Sequence, residues 1–168
     1  MDYLREARIR FREVQPLAPW LQAVFLIGAI GMAAAVYPAM HDPKLVGPAK
    51  ALPLVGPAAL VVCWLWLRQM EIVLDDQNLS FGFWLFRPSV PLKNIVSCEL
   101  EKITLWKYGG IGIRVAAGAV CYNTRFGDGV RIRVEGRRRD WVFSCDDTPR
   151  LLALLNEDIA RRGTPHPV

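Results

Sequence analysis

Histidine is nearly missing from this chain: there are two in 168 residues, His41 and His166. Cysteine is sparse as well. The four, Cys63, Cys98, Cys121 and Cys145, include no pair spaced as CxxC. That supply of ligands and bases is too thin for a zinc site, a Ser–His–Asp relay or a Cys–His pair. No metal, no cofactor and no catalytic group is expected. Three of the cysteines follow residue 68, and an odd number in one soluble segment argues against a disulfide framework and for a reducing compartment. They read as small buried hydrophobes on strands.

Charge is the third shortage, and it is local. Residues 17–67 hold three formal charges, Asp42, Lys44 and Lys50, whereas both flanks are densely charged. The chain is 52% apolar and 22% charged, which excludes a disordered or fibrous protein, and its length suits about one domain. A soluble core is not built with its charges segregated in this way. A membrane hairpin with water-soluble tails is.

The domain reading follows: an amphipathic interfacial segment over 1–16, a two-helix transmembrane hairpin over 17–67, a soluble domain over 68–163 and a tail over 164–168. Leu17 to Ala39 carries no charge, and its helical rise of about 35 Å crosses a bilayer core of about 30 Å. Ala51 to Leu67 rises about 26 Å, near the lower limit, with Lys50 able to snorkel and Pro53 and Pro57 predicting a bend. A cleaved signal peptide fits poorly, because the apolar core is too long and no A-x-A site follows it cleanly. Trp20 and Tyr37 bracket the first span, and Trp64 and Trp66 end the second. Gly28, Gly31 and Ala35 form a small-residue face that either packs on the second helix or docks a partner's helix.

Arg5, Arg8, Arg10 and Arg12 precede the first span, Lys44 and Lys50 lie between the spans, and Arg68 follows the second. The positive-inside rule then puts both tails in the cytoplasm. Tyr3, Leu4, Ala7, Phe11 and Val14 fall on one side at helical spacing, with the arginines flanking them and Pro16 ending the run. Such a helix lies on an anionic leaflet through Arg5, Arg8 and Arg12, or packs against a protein surface.

After Arg68 the period changes to that of strands. Seven runs are read: Ile72–Leu74, Leu79–Phe86, Ile95–Lys102, Ile111–Val115, Ala119–Asn123, Val130–Glu135 and Trp141–Cys145. Gly127-Asp128-Gly129 reads as a tight hairpin. The chain closes in a helix capped by Asp146, Asp147 and Thr148, opened by Pro149 and ended by Gly163, with Leu151, Leu152, Leu154, Leu155 and Ile159 as its buried stripe.

Tyr108-Gly109-Gly110-Ile111-Gly112-Ile113-Arg114, Cys121-Tyr122-Asn123, Val130-Arg131-Ile132-Arg133 and Ser144-Cys145-Asp146-Asp147-Thr148-Pro149, followed by a leucine-rich helix, resemble the bacterial membrane-tethered PH-like domain proteins. The layout is similar to that of photosynthetic complex assembly proteins. The resemblance implies a membrane α-helical hairpin plus an α+β domain: two transmembrane helices, then a PH-like seven-stranded bent β-sandwich or barrel capped by a C-terminal helix. It also implies a bacterial inner membrane, cytoplasmic or intracytoplasmic. One departure matters. The first hairpin carries Asp75 and Asp76 where lipid-binding relatives carry basic residues, so phosphoinositide binding is not carried over.

Arg137-Arg138-Arg139 is the densest basic run, either a solvated turn or a contact for an anionic leaflet or acidic partner. Asp75/Asp76 and Asp146/Asp147 sit at a turn and a helix start, where structural roles suffice. Gly109-Gly110-Ile111-Gly112 is no phosphate loop, since no Lys-Ser/Thr follows. The other arginines are dispersed over turns and alternate strand positions, so a net charge of +5 does not point to nucleic acid. The expected function is a non-catalytic accessory or assembly subunit of a larger membrane complex, photosynthetic or respiratory. Its expected partners are other integral membrane proteins and anionic lipid headgroups. The alternative is a lipid-sensing module at the membrane surface.

Overall fold

The computed structural model describes residues 8–41 and 52–163. The chain divides into two compact units, one formed by the residues up to Pro16 with those from Gln69 onward, the other by Leu17–Arg68.

The first unit holds nine strands among the described residues, in two sheets. β1 (Phe11–Pro16), β2 (Gln69–Leu74), β3 (Asn78–Phe83) and β4 (Ser89–Pro91) form a four-stranded antiparallel sheet in that order. β5 (Ile95–Ile103), β6 (Gly112–Ala116), β7 (Ala119–Asn123), β8 (Gly127–Val134) and β9 (Asp140–Ser144) form a five-stranded sheet in the order β5-β8-β9-β7-β6. Its β7–β9 pair is parallel. The core lies between the sheets. Phe81 of β3 stacks on Phe143 of β9 with ring centroids 4.4 Å apart, and meets Tyr122 and Trp141 edge-on at 5.6 Å. A single-turn helix, α3 (Leu105–Tyr108), joins β5 to β6, and α4 (Thr148–Gly163) lies on β5 and β8 with Leu151 and Leu155 buried.

These observations correct the expected fold. The first unit is not a seven-stranded PH-like barrel but two sheets of four and five strands. Two strands went unread. β4 has three residues, and its edge position tolerates Pro91, which has no N–H to give to a ladder. β1 lies where an amphipathic helix is expected. Its burial alternates: Phe11 and Gln15 point inward, Arg12 and Val14 outward. Arg12 and Glu13 pair with Val73 and Ile72, so period two prevails over the apparent helical stripe. The remainder of that expected helix, Tyr3, Leu4, Arg5 and Ala7, lies outside the described residues.

The hairpin expected at Gly127-Asp128-Gly129 is also corrected: all three residues lie inside β8. Gly129 is there for close approach, since a Cβ would come within 2.5 Å of the Phe143 carbonyl oxygen and 2.7 Å of Ile103 Cδ1.

The second unit contains α1 (Pro19–Met40) and α2 (Leu52–Leu67), packed on each other. By length and composition, one helix among the described residues suffices to cross a membrane, over Pro19–Pro38. The expectation of two full spans is therefore corrected. The sixteen residues of α2 rise about 24 Å, short of a hydrocarbon core of about 30 Å.

Candidate functional site

Only 6% of the Pro19–Pro38 window is buried. The core helix of a soluble protein hides one face, whereas α1 leaves Leu26, Ile27 and Ile30 more than 60% exposed. On α2, Val55 and Val62 are equally bare. Between the two helices runs an apolar groove of about 390 Å³, walled by Phe25, Leu26, Ala29, Leu60 and Trp64. At one end Gln22 donates to the Leu17 carbonyl oxygen at 2.7 Å, which satisfies a polar side chain inside the apolar segment.

The predicted small-residue face divides. Gly28 faces α2: a Cβ there would touch Leu60 Cδ2 at 3.5 Å. Gly31 has nothing within 4 Å of where a Cβ would stand, and Ala35 is exposed. Gly28 thus belongs to the helix pair, while Gly31 and Ala35 are free to meet something else. The reading of the sequence missed Gly56, where a Cβ would overlap the Met32 side chain. A glycine inside an apolar helix was the available signal.

The chain departs into this segment and returns from it at a single place. Pro16 pairs with Gln69 across β1 and β2, and the Leu17 N–H donates to the Arg68 carbonyl oxygen at 2.8 Å.

The predicted basic residues do not converge. Arg5 lies outside the described residues, and Arg8 is exposed ahead of β1. Arg12 pairs with Glu71 at 2.8 Å, and Glu71 also holds Arg87 at 2.9 Å. Arg137, Arg138 and Arg139 form the exposed turn between β8 and β9, where the Arg137 guanidinium covers the Trp141 ring at 4.5 Å. That turn follows Val134, at the end of β8 opposite Gly127. The end at Gly127 and Ser144 is the one that Gln15 reaches. The arginine turn therefore stands away from the place where the apolar segment attaches.

A polar staple holds the attachment point. Gln15, fully buried, accepts through Oε1 from Ser144 Oγ at 2.6 Å and from Thr124 Oγ1 at 3.3 Å, and so ties β1 to the second sheet. Glu13 accepts from the backbone N–H groups of Asp146 and Asp147 at 2.7 and 3.1 Å. A carboxylate far away in sequence thus holds the backbone just ahead of α4. Thr148 Oγ1 donates to the Cys145 carbonyl oxygen at 2.8 Å. Arg10 adds a bond to Asp158 at 2.8 Å, which raises its own pKa. Asp75 completes a turn by accepting from the N–H groups of Gln77 and Asn78.

Two of the buried thiols are held protonated. Burial, with the charge of Glu101 adding to it, pushes the Cys121 thiol up to about 12. Burial beside Glu13 does the same to Cys145. Neither offers a thiolate near neutral pH. Glu101 lies between Lys107 at 2.5 Å and Arg131 at 3.0 Å, and Arg131 also reaches Asp140 at 3.1 Å. That carboxylate is engaged by both cations. Among the described residues no three His, Cys, Asp or Glu side chains gather as metal ligands. No family model, curated protein or solved structure matches this chain.

Proposed function

We propose that this protein is a non-catalytic, membrane-anchored accessory or assembly subunit. In this reading residues 17–68 anchor it in a lipid bilayer and the two-sheet unit docks on a larger membrane complex. The photosynthetic or respiratory nature of that complex rests on the sequence resemblance alone. The observation that carries the reading is the bareness of α1: an uncharged twenty-residue helix with 6% of its window buried needs apolar surroundings. The 2.8 Å closure between Leu17 and Arg68 supports a same-side topology, because the flanks of the segment belong to one sheet. α1 is the one described helix long enough to cross, and the shorter α2 packs along it. The arginines before α1 put that side in the cytoplasm. Gly31 and Ala35 are the surface offered to a partner's helix, with anionic headgroups at Arg5 and Arg8.

The test is expression of the full chain followed by carbonate extraction and mild-detergent purification with mass spectrometry. An intact chain that resists extraction and co-purifies with integral membrane proteins is expected. A chain shortened after α1, or released by carbonate, overturns the anchor. A monodisperse monomer overturns the accessory role.

A further inference from the structure

Trp84, Leu85 and Phe86 stand in a row between β3 and β4, exposed by 79%, 66% and 53%. Single exposed apolar side chains are ordinary, but three large ones at the tip of one turn are not. The turn is firmly built. The Phe86 N–H donates to the Phe83 carbonyl oxygen at 3.0 Å. Gly82, at φ +134°, leaves room that a Cβ would take from the Phe86 carbonyl. The tip therefore presents Trp84 and Leu85 outward on a fixed backbone.

Its place in the sheet names the occupant. Phe83 pairs with Met70, and the neighbouring Gln69 pairs with Pro16. The tip thus extends the very end of the first sheet at which the chain departs for, and returns from, residues 17–68. The end of the second sheet that Gln15 reaches carries another such pair, Leu105 and Trp106, exposed by 50% and 95%. Two cations of the first sheet's face and turn, Arg12 and Arg87, both bind Glu71.

We propose that Trp84 and Leu85 insert into the interfacial layer of the bilayer, as a second and non-spanning membrane contact. The proposal rests on the membrane-anchored reading. Tryptophan suits that layer because its ring is apolar and its indole N–H can remain hydrated. With Arg12 and Arg87 already paired and three large apolar side chains at the tip, insertion is driven by apolar burial and not by headgroup charge.

The test uses the full chain in phosphatidylcholine vesicles, in a Cys63→Ala background that leaves only the buried thiols. One variant carries a fluorophore on Leu85→Cys, the other on Ile27→Cys in α1, and nitroxide lipids quench from the headgroup level or from mid-chain. The expected result is mid-chain quenching at position 27. At position 85, headgroup-level quenching should exceed mid-chain quenching about twofold, and should not change when anionic lipid is added. Quenching at 27 but not at 85 overturns the insertion and leaves the anchor standing. Quenching at neither overturns both. Quenching at 85 that appears only with anionic lipid overturns the apolar mechanism.

Discussion

The backbone N–H of Leu17 donates to the carbonyl oxygen of Arg68 at 2.8 Å, one step beyond the Pro16–Gln69 pair of β1 and β2. A single ladder thus closes both ends of the apolar segment. Residues 17–68 behave as an insertion at the turn of a β-hairpin.

Removal should therefore be tolerated. Replacing residues 17–68 with Asn-Gly leaves β1 and β2 joined by the shortest hairpin connection. The resulting protein should be soluble without detergent and should show a cooperative thermal transition. Aggregation, or a molten product by near-ultraviolet circular dichroism, would show that the segment is needed to fold the sheets.

Two glycines, Gly31 of α1 and Gly56 of α2, should separate anchoring from docking. Gly31→Leu places a side chain where nothing stands within 4 Å, and should leave the chain folded in the membrane while reducing recovery of co-purifying membrane proteins at least about fivefold. Gly56→Leu drives a side chain into Met32 and should disturb the α1–α2 pair itself, read as loss of a cross-link between cysteines placed on the two helices.

The staple between β1 and the second sheet should carry stability. Gln15→Ala strands Ser144 and Thr124 in a buried site and should cost about 1–3 kcal/mol. Glu13→Ala takes the acceptor from the N–H groups of Asp146 and Asp147 and should cost about 1–2 kcal/mol. Denaturant titration of each variant measures both. Because Gln15 Nε2 donates to Glu13, the double variant should fall short of the sum.

Alkaline pH should weaken the fold from about pH 9. The thiols of Cys121 and Cys145 sit at about 12 in the folded chain against an ordinary 9.0, so above pH 9 the folded state holds protons that the unfolded state has lost. With more protons bound in the folded state, stability falls as pH rises. It is present in full below pH 9 and is lost progressively toward pH 12. Burial raises Tyr108 and Tyr122 from 10.0 as well, and they join the loss only above that value. The slope between pH 9 and 10 should flatten in Cys121→Ala/Cys145→Ala, measured by thermal melting across that range.

What the sequence made legible was what local chemistry determines. Val130, Ile132 and Val134 alternate with Arg131 and Arg133, and they lie in β8. Thr148, Pro149 and Gly163 bound α4 where expected, and Leu151 and Leu155 are buried. What escaped depends on distant partners. The inward side of β1 is Phe11, Glu13 and Gln15, and its two polar members make sense only once Asp146, Asp147 and Ser144 stand opposite them. Gly127-Asp128-Gly129 has the composition of a turn, yet the approach of Phe143 to Gly129 draws it into a strand. The parallel β7–β9 pair leaves no local signature, since its register joins Ala119 to Asp140 across an intervening strand. At the candidate site, the bareness of α1 followed from the missing charges. The tip at Trp84 and Leu85 was instead absorbed into a longer strand, because LSFGFWLF reads as one β-rich run.

The Pro16–Gln69 pairing also sets an order of events during synthesis. β1 leaves the ribosome first but has no neighbour until β2 emerges, and the most hydrophobic part of the chain comes between them. A strand edge left open beside such a segment invites aggregation. Glu13 and Gln15 wait longer still, for residues 144–147. Sheet assembly is therefore the last act, and in the membrane-anchored reading proposed above delivery of residues 17–68 to the bilayer comes before it. On that reading, early capture by insertion machinery matters more to the nascent chain than its small size would suggest.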